Sequence, residues 1–302
     1  MKIIMYHYVR EQSNEFPHFN YLDINIFRKQ LDYFQKESHF LSKTEYFEAI
    51  ESGENKNGCV LTFDDGLIDH YSFVLSELKS RGLWGLFYIP TRIYTEATVA
   101  MLGVHRIHCL KGKYGSSAIL KEALNIIDEG MLDQENIANF DKDIYTFTNY
   151  EEDDKKLRRL FNYYIKYDYR DQILDILMKK YFVEEKLKED FYLTVEQIKE
   201  LENQGNIIGS HTVSHKVLSR LSYNEQVREI KDSFLFLESI VKITKHSFCF
   251  PYGYASSYNQ TTLSILSELN VHNAVVFDNQ EQGNNIKRLE LSRIDCNKFM
   301  KV

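Results

Sequence analysis

Val60-Leu61-Thr62-Phe63-Asp64-Asp65-Gly66 is an apolar run that ends in two adjacent carboxylates and a glycine. Such a run reads as a buried strand that delivers acid groups to a surface, and neighbouring strand residues point to opposite sides. Asp64 and Asp65 therefore serve different neighbours: one is aimed at a bound ion and the other at whatever lies beside it, with Gly66 permitting the turn. An isolated Asp-Asp-Gly would serve equally well to start the next helix, as caps and dipole partners for the Ile68 to Gly82 segment. The rest of the chain decides between the two.

Outward from this stretch, short apolar runs recur, each followed by a polar turn and usually by a segment of helical period. Ile3 to Val9 comes first, then Cys59 to Phe63, Trp84 to Ile89, Asn206 to Gly209 continuing into His211, His246 to Phe250, Asn273 to Phe277 and Leu289 to Ile294. Between them, Phe27, Leu31 and Phe34 repeat at helical spacing; Tyr71, Val74, Leu75 and Leu78 share one helix face; Val195, Ile198 and Leu201 form a helix ending at Gly205. Alternation of this kind predicts a parallel sheet covered by helices. Polar residues collect after the runs: His7, Asp64 and Asp65, Thr91 and Arg92, His211, Pro251 to Gly253, Asp278, and Arg293 to Asp295. That distribution predicts an α/β barrel of parallel strands with its chemistry at the carboxyl-end face. Residues 92–191 break the rhythm and are expected to form an inserted, mainly helical subdomain, leaving 1–91 and 192–302 as the barrel.

Composition narrows the function classes. The 302 residues are 27% charged and 43% hydrophobic, with a net charge of -7, which argues against affinity built on phosphate neutralisation and so against a nucleic-acid partner. The four cysteines, Cys59, Cys109, Cys249 and Cys296, are widely spaced and contain no Cys-x-x-Cys pair, so disulfides are not expected. The start of the chain lacks the apolar core and cleavage site of a secretory signal, and no run reaches the ~20 apolar residues of a membrane span. The expected location is the cytoplasm.

His211-Thr212-Val213-Ser214-His215 sets two imidazoles four apart, on one face if a helix starts there. Alone, such a pair is as readily two core or surface histidines. With a strand-end carboxylate it makes a two-histidine, one-carboxylate set that leaves positions open for water and substrate. Nitrogen and oxygen donors without thiolate favour one divalent ion, zinc first, with cobalt, nickel or manganese as alternatives. Phe250-Pro251-Tyr252-Gly253 is a turn, and the backbone N–H of Tyr252 is the candidate donor for an oxyanion.

Thr62 to Gly66, Gly209 to His215 and Phe250 to Gly253, in that order, resemble the polysaccharide deacetylase family, the NodB-homology carbohydrate esterases. The resemblance covers the seven-run frame and leaves Arg92 to Phe191 unmatched. It implies a distorted seven-stranded (β/α) barrel, a divalent metal, and hydrolysis of the N-acetyl, occasionally O-acetyl, group of a sugar. It further implies that Asp64 is the general base and Asp65 the metal ligand beside His211 and His215.

The chain departs from the better-known branch, which carries an arginine just before the proline motif to hold the base and a late Leu-x-His to supply the acid. Neither is present here. In the branch with Tyr-His on the first strand the acid role belongs to that histidine, which corresponds to His7; Arg293, with Arg288 second, is the candidate to orient Asp64. His105 and His108, in the insertion, are expected to make packing or lid contacts. The implied function is a metal-dependent sugar N-deacetylase acting on a nucleotide-linked or lipid-linked precursor of a surface glycan. A C–N hydrolase for a non-sugar amide and an inactive, metal-keeping carbohydrate-binding module are the alternatives.

Overall fold

The computed structural model describes residues 1–11, 15–99, 101–140, 144–145 and 150–300. Its sheet strands are β1 (Lys2–Tyr6), β4 (Cys59–Phe63), β5 (Gly85–Ile89), β6 (Ile207–Ser210), β7 (Ser247–Cys249), β8 (Asn273–Val275) and β9 (Ile294–Asp295), with a separate short pair β2 (Val9–Arg10) and β3 (Leu22–Asp23). The seven form one sheet in the order β8-β7-β6-β5-β4-β1-β9, every pair parallel. Every residue of β4 and β5 is buried, so both strands read as unbroken apolar runs rather than as alternation.

The last apolar run behaves differently from the earlier ones. Only Ile294–Asp295 is strand, paired with Ile4 and Met5 at one edge, while Leu291 bridges to Val275 at the other. The Leu291 N–H donates to the Ala274 carbonyl and the Val276 N–H to the Leu291 carbonyl, both at 2.9 Å. Residues 291–295 therefore touch both edges and draw the sheet into a distorted barrel. A segment that must cross from β8 to β1 in so few residues cannot pair continuously with either, which is why Leu289 to Ile294 is not one strand.

The helices around the sheet start where caps exist. In α1 (Ile24–Glu37), Phe27, Leu31 and Phe34 face inward as their spacing requires. Capping boxes open α2 (Lys43–Ser52) at Ser42, α11 (Val195–Asn203) at Thr194 and α12 (Tyr223–Ile240) at Ser222; α13 (Gln260–Glu268) follows β7. After β4 the chain makes a π-turn over His70–Val74 before α3 (Leu75–Ser80). The wider turn changes which residues face in: His70, Val74 and Leu78 are buried while Tyr71 is 37% exposed, against the α-helical face expected through Tyr71.

Between β5 and β6 lie α4 (Arg92–Thr95), α5 (Gly103–Tyr114), α6 (Ser116–Ile126), α7 (Gln134–Phe140), α8 (Glu152–Arg159), α9 (Tyr167–Tyr181) and α10 (Glu184–Glu189). All of them but α7 share an apolar core that takes in Tyr8 and Leu67, with Tyr252 packed against it. The segment returns beside the loop that follows β4: Ile68 N–H donates to Phe191 O and Leu193 N–H to Gly66 O, each at 2.9 Å. These contacts lie at the carboxyl-end face of the sheet.

Candidate active site

Strand β4 ends by dividing its two acids. Asp64 N–H still donates to Tyr6 O at 2.9 Å, which extends the strand's course by one residue. Asp65 and Gly66 then turn with φ of 78° and 61°, a left-handed conformation that costs a non-glycine residue about 1 kcal/mol or more. The two side chains leave in different directions.

Asp64, 1% exposed, meets Arg293, also 1% exposed. Arg293 Nη1 donates to Asp64 Oδ1 at 2.7 Å and to Thr62 Oγ1 at 3.2 Å, Nε donates to Val276 O at 3.3 Å, and Nη2 lies 3.1 Å from Cys249 Sγ. The Cys249 thiol in turn sits 3.5 Å from Asp64 Oδ2. Burial pushes the Asp64 carboxyl up, but Arg293, His7 and His211 outweigh it and hold the group below the usual carboxylate range. Arg288, by contrast, donates to the carbonyls of Val271 and His272 and takes no part.

Asp65 gathers histidines. Its Oδ1 is 3.4 Å from His211 Nε2 and 3.4 Å from His215 Nε2; its Oδ2 is 3.2 Å from His105 Nε2 and 3.9 Å from His7 Nε2. Donor atoms of Asp65, His211 and His215 all fall within 4.8 Å of one another. His7 Nε2 also stands 3.8 Å from Asp64 Oδ2, and the side chain is 36% exposed, the only open member of the group among the described residues.

The two histidines do not converge through a helix. Residues 211–217 are irregular, and Thr212 and His215 have φ of 64° and 55°; two left-handed residues fold the loop so that both rings meet. The loop is docked on β5, with His211 N–H donating to Ile89 O at 3.1 Å and Arg92 N–H to Val213 O at 2.9 Å. Ser214 N–H donates to Glu229 Oε2 of α12 at 2.7 Å. His211 Nδ1 bonds the Cys249 carbonyl at 2.8 Å, which requires a proton on Nδ1 and leaves Nε2 of the neutral ring as the nitrogen able to bind a metal.

That donor set fits a divalent cation. Asp65 Oδ1 is buried and has no hydrogen-bond partner, a costly state for a carboxylate oxygen unless a cation completes it. Burial raises the Asp65 carboxyl, and the surrounding histidines, His105 first, lower it by more.

Pro251, Tyr252 and Gly253 border the cluster. Tyr252 and Gly253 have φ of 65° and 69°, and the Tyr252 ring packs edge-on to His215 with centroids 4.9 Å apart. The Tyr252 N–H has no acceptor among the described residues.

Three residues here take parts that sequence alone did not assign to them. Cys249, read as a strand thiol, bridges Arg293 and Asp64 just before the proline turn, where the resembled branch has its arginine. His70 Nε2 bonds His7 O at 3.0 Å and so fixes that histidine's backbone. His105 reaches Asp65 from the helical insertion. Only Cys249 had an available signal, its place beside Pro251.

Part of the chain matches a known family, and the whole shares its fold with solved structures. The family model described as polysaccharide deacetylase matches residues 167–274. Solved structures with the same fold include the Streptococcus pyogenes deacetylase PplD in complex with acetate, at 20% identity and a TM-score of 0.59 over 98% of this chain and 91% of that one. IcaB from Ammonifex degensii matches at 17% identity and 0.53 over 97% and 90%, and the BpsB deacetylase domain from Bordetella bronchiseptica at 11% and 0.51 over 97% and 94%. No curated protein sequence matches the chain. Among the described residues no helix is long and apolar enough to cross a membrane. The match at residues 167–274 takes in two of the three ordered motifs, Gly209 to His215 and Phe250 to Gly253, and the whole chain shares its fold with these solved deacetylases.

Proposed function

We propose that the protein is a metal-dependent hydrolase that removes the N-acetyl group of a sugar. One observation carries the proposal: a carboxylate oxygen without a partner, Asp65 Oδ1, faces two imidazole nitrogens at 3.4 Å beside a second carboxylate, Asp64, that an arginine holds ionised.

Asp65, His211 and His215 would hold the ion, zinc first by donor type, with cobalt, nickel or manganese able to replace it. A cation there supplies a water of lowered pKa and polarises the acetamide carbonyl. Asp64, ionised and fixed by Arg293, takes the proton of the attacking water. The Tyr252 N–H donates to the oxygen on which negative charge develops, a role supported by its lack of an internal acceptor. His7 gives a proton to the leaving amine; its exposure and its distance of 3.8 Å from Asp64 support that part. The inserted helices bring His105 to this face, against Tyr192, and would set substrate choice. The substrate we favour is a nucleotide-linked or lipid-linked N-acetyl sugar, handled in the cytoplasm during surface-glycan assembly.

Acetate release from N-acetyl sugars, with and without chelator, tests the reaction. Release that stops with chelator and returns with zinc is expected; metal retention with no release from any N-acetyl sugar would leave a binding module instead. The acid is tested by His7→Ala, which should slow amide cleavage about 10² to 10⁴-fold yet spare an activated aryl acetate, whose alcohol leaves unaided. Equal losses on both would remove His7 from that role.

A further inference from the structure

The helical insertion brings His105, hydrogen-bonded to Tyr192 just beyond its end, to the carboxylate that would bind the metal. Tyr192 OH accepts the Leu102 N–H at 3.1 Å and stands 2.6 Å from His105 Nδ1. Because Nε2 faces a carboxylate oxygen, the ring proton is favoured on that nitrogen, and Nδ1 then accepts the Tyr192 hydroxyl proton. Nε2 lies 3.2 Å from Asp65 Oδ2, an ion-pair contact, and makes no hydrogen bond to any other group. His105 is 0% and Tyr192 4% exposed, so neither can exchange this contact for water.

The same residues anchor the loop that carries Asp65. Tyr192 bridges to Leu67, and its neighbours Phe191 and Leu193 bond Ile68 and Gly66. Tyr192 therefore ties together three things: the loop after Asp65, the first turn of α5 through Leu102, and the His105 ring. Asp65 itself sits in a left-handed conformation with φ of 78°, which a non-glycine residue keeps only when its surroundings over-determine it.

We propose that His105, backed by Tyr192, is a positioning residue for Asp65: it occupies Oδ2, fixes the carboxylate's rotation, and leaves Oδ1 to the metal. The proposal rests on the reading of Asp65, His211 and His215 as the metal ligands. It makes the barrel's metal centre incomplete without the insertion, so that this segment controls metal affinity as well as access. Partners of this kind in metal sites are typically worth about 10 to 100-fold in affinity.

The experiment is zinc affinity by competition with a chromogenic chelator on the full chain, with circular dichroism of the zinc-free protein as the control for folding. His105→Leu should bind zinc about 10 to 100-fold more weakly than the native chain while keeping its far-UV spectrum. His105→Gln, whose amide NH₂ can reach the same carboxylate, should recover most of that loss, and Tyr192→Phe should weaken binding in the same direction. A purely structural role would not distinguish Leu from Gln. Should His105→Leu lose its folded spectrum, the comparison of His105→Gln with Tyr192→Phe carries the test, the first expected near native affinity and the second below it. Native affinity in His105→Leu, or equal weakening in Leu and Gln, would overturn the proposal. A native chain that binds no zinc would instead overturn the metal-site reading beneath it.

Discussion

Arg293 Nη1 lies 2.7 Å from Asp64 Oδ1 across 229 residues of sequence, and the segment that carries this arginine is also the one that closes the barrel. Closure and the ionised state of the proposed base thus depend on the same few residues. Replacing Arg293 by alanine would strand a buried carboxylate, a loss on the order of 3 to 5 kcal/mol. Arg293→Lys should keep the charge and most of the stability but lose the fork that spans Val276, Cys249 and Asp64. Urea unfolding should separate the two variants, and steady-state rates of Arg293→Lys should fall in kcat more than they change KM.

His70 sets an acid limit on stability. Burial pushes its imidazole down to about 4 although its bond to His7 O acts the other way. The unfolded chain takes up that proton near 6.5, so this contribution is whole above pH 6.5 and is lost as pH falls toward 4. Between pH 7 and 5 the native chain should lose about 2 kcal/mol more than His70→Gln, from the cost of ~1.4 kcal/mol per pKa unit. Urea midpoints at the two pH values provide the measurement; parallel loss in both proteins would exclude His70 as the source.

Gly253 is required twice. Its φ is +69°, and an added Cβ would stand 2.8 Å from Phe277 N and 2.9 Å from Phe277 Cβ. Gly253→Ala should destabilise by roughly 1 to 3 kcal/mol and shift the Tyr252 N–H that precedes it. The expected kinetic signature is a fall in kcat with little change in KM, because an oxyanion donor acts in the transition state.

A cation that binds only the folded chain raises its stability by mass action, by about 2.7 kcal/mol at a hundredfold excess over Kd. Thermal unfolding should therefore move upward with added zinc. In His215→Ala the zinc-dependent part of the shift should vanish. His215 Nδ1 makes no hydrogen bond, so the zinc-free Tm should change by only a few degrees. A zinc-dependent shift of native size in that variant would remove His215 from the ligand set.

The sheet was legible because β4 and β5 are buried on both faces and their composition says so at any register. The site was legible in its elements but less so in its geometry. His211 and His215 meet because Thr212 and His215 take left-handed backbone, a property that spacing does not reveal, and a helix was the natural expectation. The face of the segment after β4 was misjudged at Tyr71 because a π-turn adds a residue to one turn without any mark in the sequence. Arg293 was nominated ahead of Arg288 from its place on the last apolar run; its contact with Asp64 follows from residues 291–295 crossing from one edge of the sheet to the other. His105 stayed ambiguous for a similar reason, since its partner Asp65 lies 40 residues earlier on a different layer.

The crossing segment has a consequence for how the protein is made. Synthesis runs from the amino end, so all three motifs, the last ending at Gly253, are made before Arg293, and until then Asp64 lacks its counter-charge and the sheet its seam. The ion pair at the proposed base and the closure of the barrel are therefore completed together, when residues 291–295 stitch the two margins of the sheet.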